Sequence, residues 1–250
     1  MKKTIAITTL GCKVNQFESA SFITGFTDTG CTMVPFSGPA DIYVINTCAV
    51  TARAGQQSRQ MVRRAMRANP DARIVVTGCY AQIAGEELLE IIDNPLCIIG
   101  NGNKHLLVET ALAENSPELV MLTGNIGMKK EICPLSVRRF SGRTRSYLRI
   151  QDGCNNFCSY CIVPYSRGRS RSLPKSAVFE QVDIFLQEGC REMVITGINV
   201  GKYGLELDEG ENIYTLLDSL CRNYPEMRIR LSSVEPVEVN DQLLNLMIRH

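Results

Sequence analysis

The stretch Ser146-Tyr147-Leu148-Arg149-Ile150-Gln151-Asp152-Gly153-Cys154-Asn155-Asn156-Phe157-Cys158-Ser159-Tyr160-Cys161 carries the strongest signal in the chain. Its first half, Ser146 to Asp152, reads as a strand, and its second half sets three thiols within eight residues on the loop that leaves it. Such spacing lets one loop wrap around a metal cluster. A four-iron cluster usually takes four thiolates, one per iron, so three from one loop leave one iron open to a substrate or cofactor. A zinc knuckle is the alternative, but it wants a fourth ligand nearby, and no His or further Cys follows within twenty residues.

Toward the C-terminus the pattern continues as a β-α series. Pro174 to Gln187 reads as helix, Glu192 to Gly197 as strand, Asn212 to Arg222 as helix, Met227 to Ser233 as strand, and the stretch from Asn240 as helix. Three β-α units are too few to close a barrel, so a partial barrel in a truncated chain is expected. Upstream, Thr4 to Leu10, Asp41 to Thr47 and Arg73 to Gly78 are Ile-, Val- and Thr-rich strand candidates, with weaker ones at Cys31 to Pro35 and Leu96 to Ile99. Thr51 to Ala68 is the clearest helix, closed by Asn69-Pro70. The expected fold is therefore α/β: a doubly wound parallel-sheet domain over residues 1–115, a connecting segment over 116–145 rich in Gly and Pro breakers, and a partial β/α barrel over 146–250.

A chain of 250 residues with 44% hydrophobic and 21% charged side chains has room for one or two domains, and it lacks the long apolar run a membrane span requires. The apolar stretch Thr4 to Leu10 is too short for a signal peptide, so a reducing cytoplasm is the expected setting. There, the 11 cysteines point to metal or redox chemistry more than to cross-links. Cys12, Cys48 and Cys79 each follow a strand, so a parallel sheet would deliver all three to its carboxyl edge, where doubly wound domains hold ligands. Cys31 and Cys97 sit near strand starts, toward the other edge, and are assigned to packing; Cys133, Cys190 and Cys221 show no partner pattern. His105 reads as a surface residue.

The Cys154 loop resembles the radical S-adenosylmethionine superfamily. Taken with Gly11-Cys12-Lys13-Val14-Asn15-Gln16, Asn46-Thr47-Cys48, Gly78-Cys79 and Gly153 to Gly168, the chain resembles the methylthiotransferase family within it. The resemblance implies two 4Fe-4S clusters, a radical one held by Cys154, Cys158 and Cys161 and an auxiliary one held by Cys12, Cys48 and Cys79. It also implies S-adenosyl-L-methionine, whose reductive cleavage gives a 5′-deoxyadenosyl radical, with a second molecule methylating the sulfur to be inserted. Tyr160 then lies against the cofactor's adenine, Gly197 and Asn199 meet its methionine moiety, and Ser233 and Glu235 face the same cavity, although Glu235 could equally cap the next helix. Family members add a methylthio group to one of two hypermodified adenosines at tRNA position 37 or to an aspartate of a ribosomal protein. The run from Cys12 to Ser19 looks most like the branch acting on N6-threonylcarbamoyladenosine, whereas the Cys154 loop is also close to the isopentenyladenosine branch. The implied partners are the tRNA anticodon loop and an electron donor such as flavodoxin or ferredoxin, with the sulfur source left open. The family's remaining barrel strands and its C-terminal RNA-binding β domain are absent, so this chain alone is expected to be weak or inactive. A non-catalytic iron-sulfur fragment that binds RNA is the competing class.

Residues 129–175 carry eleven basic side chains against Glu131 and Asp152, a local +9 in a chain whose total is +1. Beside a cluster loop, such a run suits an RNA phosphate backbone. The alternative is that its arginines pair with acids of the other domain. Arg63, Arg64 and Arg67 on the first domain's helix are weaker candidates.

Overall fold

The structure, a computed structural model, describes residues 2–114, 117–140, 142–207 and 210–250. The expected boundary between 115 and 116 lies outside the described residues. β1 (Thr4–Thr9), β2 (Thr32–Met33), β3 (Ile42–Thr47), β4 (Arg73–Gly78), β5 (Leu96–Ile99) and β6 (Leu119–Leu122) form one sheet in the order β2-β1-β3-β4-β5-β6. Every neighbouring pair is parallel. The central strand β3 is buried at all six residues, as a strand covered on both faces must be.

Helices supply that cover. α1 (Lys13–Asp28) packs Phe22 and Phe26 against Ile5, Val44 and Val75 on one face. On the other, α2 (Ala52–Ala68) packs Val62 and Ala65 against Ile45, Ile74 and Val76, beside the short helices α3 (Cys79–Ile83) and α4 (Gly85–Leu89). α5 (Leu107–Leu112) joins the face of α1. Local chemistry sets the helix ends. Thr51 Oγ1 accepts the Ala54 N–H at 3.1 Å to start α2, and Gly30, at φ +80°, turns the chain out of α1. The strand order reverses between β1 and β3, so the sheet's topological switch point, where such folds place ligands, lies at their carboxyl ends.

β6 falls inside the stretch read from sequence as a connecting segment. Bracketed by Pro117 and Gly124, its four residues are too few to register a period of two, yet they pair with the whole of β5. The stretch Ser146 to Asp152 also departs from the expected single strand. β7 (Ser146–Arg149) stays in a second sheet, while β8 (Gln151–Asp152) turns away to pair antiparallel with β9 (Arg171–Ser172). The second sheet joins β7, β10 (Glu192–Thr196) and β11 (Arg228–Leu231) in the order β11-β10-β7, all parallel.

α6 (Val163–Arg167) follows the Cys154 loop, and α7 (Lys175–Gln187), α8 (Ile213–Asn223) and α9 (Asp241–Arg249) complete the β-α series. Leu148, Ile195, Val182, Phe185, Leu216 and Leu220 form its core, into which α1 inserts Phe17 and Ala20. α1 thus serves both sheets, and the edge strand β7 is closed by the first domain. Among the described residues no helix is long and apolar enough to cross a membrane.

Gly78 shows how tightly the carboxyl edge is built. Its φ is +95°, and a side chain there would meet Thr47 O at 2.3 Å and Thr47 N at 2.6 Å, whereas Gly30 has a similar φ of +80° with open space around it. Gly30→Ala should cost about 1–2 kcal/mol, the conformational penalty alone. Gly78→Ala should exceed it by at least about 2 kcal/mol in urea unfolding, because backbone must move.

Candidate functional site

Cys12 leaves β1, Cys48 leaves β3 and Cys79 opens α3 directly after β4, so the three thiols stand on adjacent strands astride the switch point. Adjacent strands lie about 4.8 Å apart, which spreads the thiols along one crevice. Gly11, at φ +99°, turns the chain so tightly that a side chain on it would sit 3.0 Å from Cys48 Sγ. Cys12 is exposed, while Cys48 and Cys79 are buried. Burial pushes the Cys48 thiol up, and its neighbours Cys79 and Cys12 add to the rise. Cys97 lies within the first core and Cys31 just precedes β2.

One side chain ties this crevice together. Asn15 Nδ2 donates to Leu10 O at 2.7 Å and Thr47 O at 3.0 Å, the residues that lead into the Cys12 and Cys48 turns. Its Oδ1 lies 3.6 Å from Cys12 Sγ and accepts from Arg167 Nη2 at 2.5 Å. Arg167 is the last residue of α6, so the second domain reaches into the first domain's crevice. The same guanidinium donates to Asp152 Oδ1 at 2.8 Å and Glu18 Oε1 at 3.1 Å. Lys104 pairs with Glu18 from the opposite side.

Glu18, Lys104, Arg149, Asp152, Arg167 and Arg171 are all buried. Burial alone would raise the two carboxyls, but Lys104, Arg167 and Arg149 hold Glu18 below the usual carboxylate range, and Arg167, Arg171 and Arg149 hold Asp152 well below it. Burial lowers the Lys104 ammonium, partly offset by Glu18. Four buried cations here face two buried carboxylates, and Nε and Nη1 of Arg149 have no hydrogen-bond partner. A buried charge without its counterpart is costly. Cys79 and Cys12 both lie within electrostatic reach of Arg167.

The Cys154 loop is held at its base. Gly153, at φ +74°, lies so close to Arg169 O that a side chain would meet it at 2.0 Å. Cys154 N donates to Gly168 O at 3.1 Å and Cys161 N to Cys158 O at 2.9 Å. Cys158 is exposed and Cys154 and Cys161 partly so, leaving three thiols available on one loop. α3 packs against α6, and buried Asn101 Nδ2 donates to Ser166 O at 2.6 Å while lying 4.0 Å from Cys79 Sγ. The fold therefore brings the two cysteine sets onto one face of the molecule. Among the described residues, no three His, Cys, Asp or Glu side chains stand close enough to clasp a single ion.

The remaining expected contacts are placed unevenly. Tyr160 is 90% exposed beside Cys158, with Glu235 within electrostatic reach. A side chain on Gly197 would meet Gln151 Oε1 at 2.9 Å. Asn199, with its amide nitrogen turned to Glu238, lies 3.1 and 3.2 Å from that carboxylate. Ser233 takes a left-handed φ of +58°, and Glu235 stands at the start of a 3-10 turn with its N–H donating to Glu238 Oε2 at 3.0 Å, which is a cap's position. Gln151 and Glu238 were not singled out from sequence. Gln151 Oε1 accepts the N–H groups of Ile198 and Asn199, both at 2.9 Å, and so shapes the loop after β10.

The basic run over residues 129–175 divides. Arg149, Arg167 and Arg171 are interior, and Arg138 of the connecting segment pairs with Asp28 of α1 at 3.0 Å. His105 is exposed as expected, but its Nδ1 lies 3.2 Å from Cys133 Sγ, giving Cys133 a partner that sequence spacing did not reveal.

Residues 4–100 match an uncharacterized protein family, UPF0004, and residues 148–248 match the radical SAM superfamily. The chain is 38% identical over 247 residues to a threonylcarbamoyladenosine tRNA methylthiotransferase of Aquifex aeolicus, covering 98% of this chain and 59% of the relative. It is 32% identical over 257 residues to a tRNA-2-methylthio-N(6)-dimethylallyladenosine synthase of Fusobacterium nucleatum, covering 100% of this chain and 58% of the relative. The chain thus spans under three-fifths of the length of these curated relatives. In fold it is similar to the radical S-adenosylmethionine methyltransferase TsrM from Kitasatospora setae, with a TM-score of 0.62 at 15% identity, over 99% of this chain and 59% of that one.

Glu18→Gln would leave Lys104 and Arg167 short of a buried partner. It should cost about 3–5 kcal/mol in urea unfolding at neutral pH. Because the folded Glu18 carboxyl lies below its unfolded value, its stabilisation is present above about pH 4 and is lost as pH falls through the folded value. The parent's stability should therefore fall more steeply than the variant's as pH drops below about 4.

Proposed function

We propose, because the chain belongs to the methylthiotransferase family of radical S-adenosylmethionine enzymes, that it adds a methylthio group to C2 of N6-threonylcarbamoyladenosine at position 37 of tRNA. The radical SAM match itself implies one 4Fe-4S cluster and S-adenosyl-L-methionine. The observation that carries the fuller reading is the joining of two three-thiol sets by Arg167, which follows the Cys154 loop and binds Asn15 beside Cys12. Cys154, Cys158 and Cys161 would hold the radical cluster, and Cys12, Cys48 and Cys79 an auxiliary one.

When bound, the clusters and S-adenosyl-L-methionine supply the radical and the sulfur. The chain's own residues orient and shield. Asn15 fixes the turns that carry Cys12 and Cys48, and Arg167 and Lys104 provide positive charge behind the thiolates. Tyr160 offers an open aromatic face to an adenine. Gln151 holds the backbone of Ile198 and Asn199, where a methionine amino group would be met, and Ser233 and Glu235 border the same side. Burial of Asn199 against Glu238 makes its own contact with the cofactor the least favoured of these assignments.

The run Cys12-Lys13-Val14-Asn15-Gln16-Phe17-Glu18-Ser19 supports the threonylcarbamoyladenosine branch. The isopentenyladenosine branch is the second reading, favoured by the Cys154 loop and the similarity to the Fusobacterium relative. The tRNA partner, a flavodoxin or ferredoxin as electron donor, and a cytoplasmic setting follow from the same reading.

Anaerobic reconstitution tests it. About eight irons per chain should fall to about four in the triple Cys12, Cys48 and Cys79 to Ala variant, with matching loss of sulfide and EPR signal. About four in both proteins would remove the auxiliary site and with it sulfur insertion. Mass spectrometry of threonylcarbamoylated and isopentenylated anticodon stem-loops, incubated with the reconstituted protein, separates the two branches.

A further inference from the structure

We propose that the exposed face of α2, and not the basic run over residues 129–175, is the surface that receives the phosphate backbone of the RNA; this rests on the RNA-substrate reading above. α2 carries Arg53, Arg59, Arg63, Arg64 and Arg67 and no acidic residue. At 3.6 residues per turn, Arg53, Arg63, Arg64 and Arg67 fall within about a third of the helix circumference, together with Gln56, Gln57 and Gln60. All seven are exposed. The buried stripe of Gly55, Ser58, Val62 and Ala65 faces the sheet.

Among the described residues, Arg59 alone of the five has a carboxylate within 4.0 Å, Glu87 at 3.9 Å. The four face arginines are therefore uncompensated charge, in contrast to Arg138 and Arg145, which lean on Asp28 and Glu192, and to the interior Arg149, Arg167 and Arg171. Arg53 to Arg67 spans about 21 Å along the helix axis, room for several successive phosphates of one strand. Guanidinium forks suit phosphate oxygens, and the intervening glutamines can donate to phosphate or ribose. The row contains no large apolar side chain, which a lipid surface would use.

Position adds direction to charge. α2 starts four residues after Cys48, with Thr51 as its cap, so one end of the row begins at the crevice where the reacting base must come. A strand held along α2 would deliver its next nucleotides to that edge of the sheet.

The test is fluorescence anisotropy of a labelled tRNA anticodon stem-loop titrated with the chain between about 50 and about 200 mM KCl. The quadruple variant Arg53→Gln, Arg63→Gln, Arg64→Gln, Arg67→Gln is compared with an equal-charge control, Lys129→Gln, Lys130→Gln, Arg139→Gln, Arg228→Gln. All eight residues are exposed, and matched melting midpoints verify both folds. We expect the α2 variant to bind at least about tenfold more weakly near 100 mM salt, with the slope of log affinity against log salt reduced by about 2 to 4, and the control to change far less. If the parent binds the RNA and the α2 variant matches it, or the control loses as much, this surface is overturned while the RNA reading stands. If the parent binds no RNA but binds vesicles of anionic lipid, both fall.

Discussion

The fold turns on a set of charges that cannot be satisfied by either domain alone. Glu18 belongs to α1, Lys104 to the turn before α5, Arg149 to β7, Asp152 to β8, and Arg167 to α6. Each is buried; Lys104 meets Glu18 within the first domain and Arg167 meets Asp152 within the second, but the set is completed only by Glu18 against Arg149 and Arg167 across the two. Taking such groups out of water costs several kcal/mol per ion unless geometry and hydrogen bonding are good. The docked arrangement is thereby made specific: a shift of α1 along β7 would part Glu18 from Arg149 and Arg167. Apolar packing of Phe17 and Ala20 into the second core supplies adhesion, while the ionic set decides the register.

That register has a chemical consequence. Asn15, one turn before Glu18 on α1, is bonded both to the strand ends that carry Cys12 and Cys48 and to Arg167. The surplus of buried positive charge then lies behind the crevice, not at a random point of the interface. Arg167, which lies behind the crevice, is also anchored six residues beyond Cys161. Arg167 and the contact of α3 with α6 thus link the segments that carry the two cysteine sets.

Much of this was legible in the sequence because it repeats simple periods. β-branched runs ending in Gly-Cys or Thr-Cys mark strands and the edge to which they deliver a thiol, and the Cys154 loop is local in sequence. β6 was not legible, since four residues flanked by breakers carry no period and pair only because β5 offers an open edge. The ionic set was hidden for a different reason. Glu18 and Arg167 are 149 residues apart, and nothing in the local sequence of either announces a buried partner. Gln151 and Glu238 escaped similarly, because their function is to hold backbone and a neighbouring amide, a tertiary property.

The basic residues show how the two kinds of information differ. A count along residues 129–175 adds charges that the fold then separates, sending Arg149, Arg167 and Arg171 inward and pairing Arg138 with Asp28 and Arg145 with Glu192. A helix does not scramble its charges in this way. Its period fixes which side chains share a face, so Arg53, Arg63, Arg64 and Arg67 remain together once the apolar stripe of α2 is committed to the sheet. Charge density in sequence becomes a binding surface only where secondary structure keeps the charges on one side, and the interior takes Arg167 because Glu18 and Asp152 meet it there.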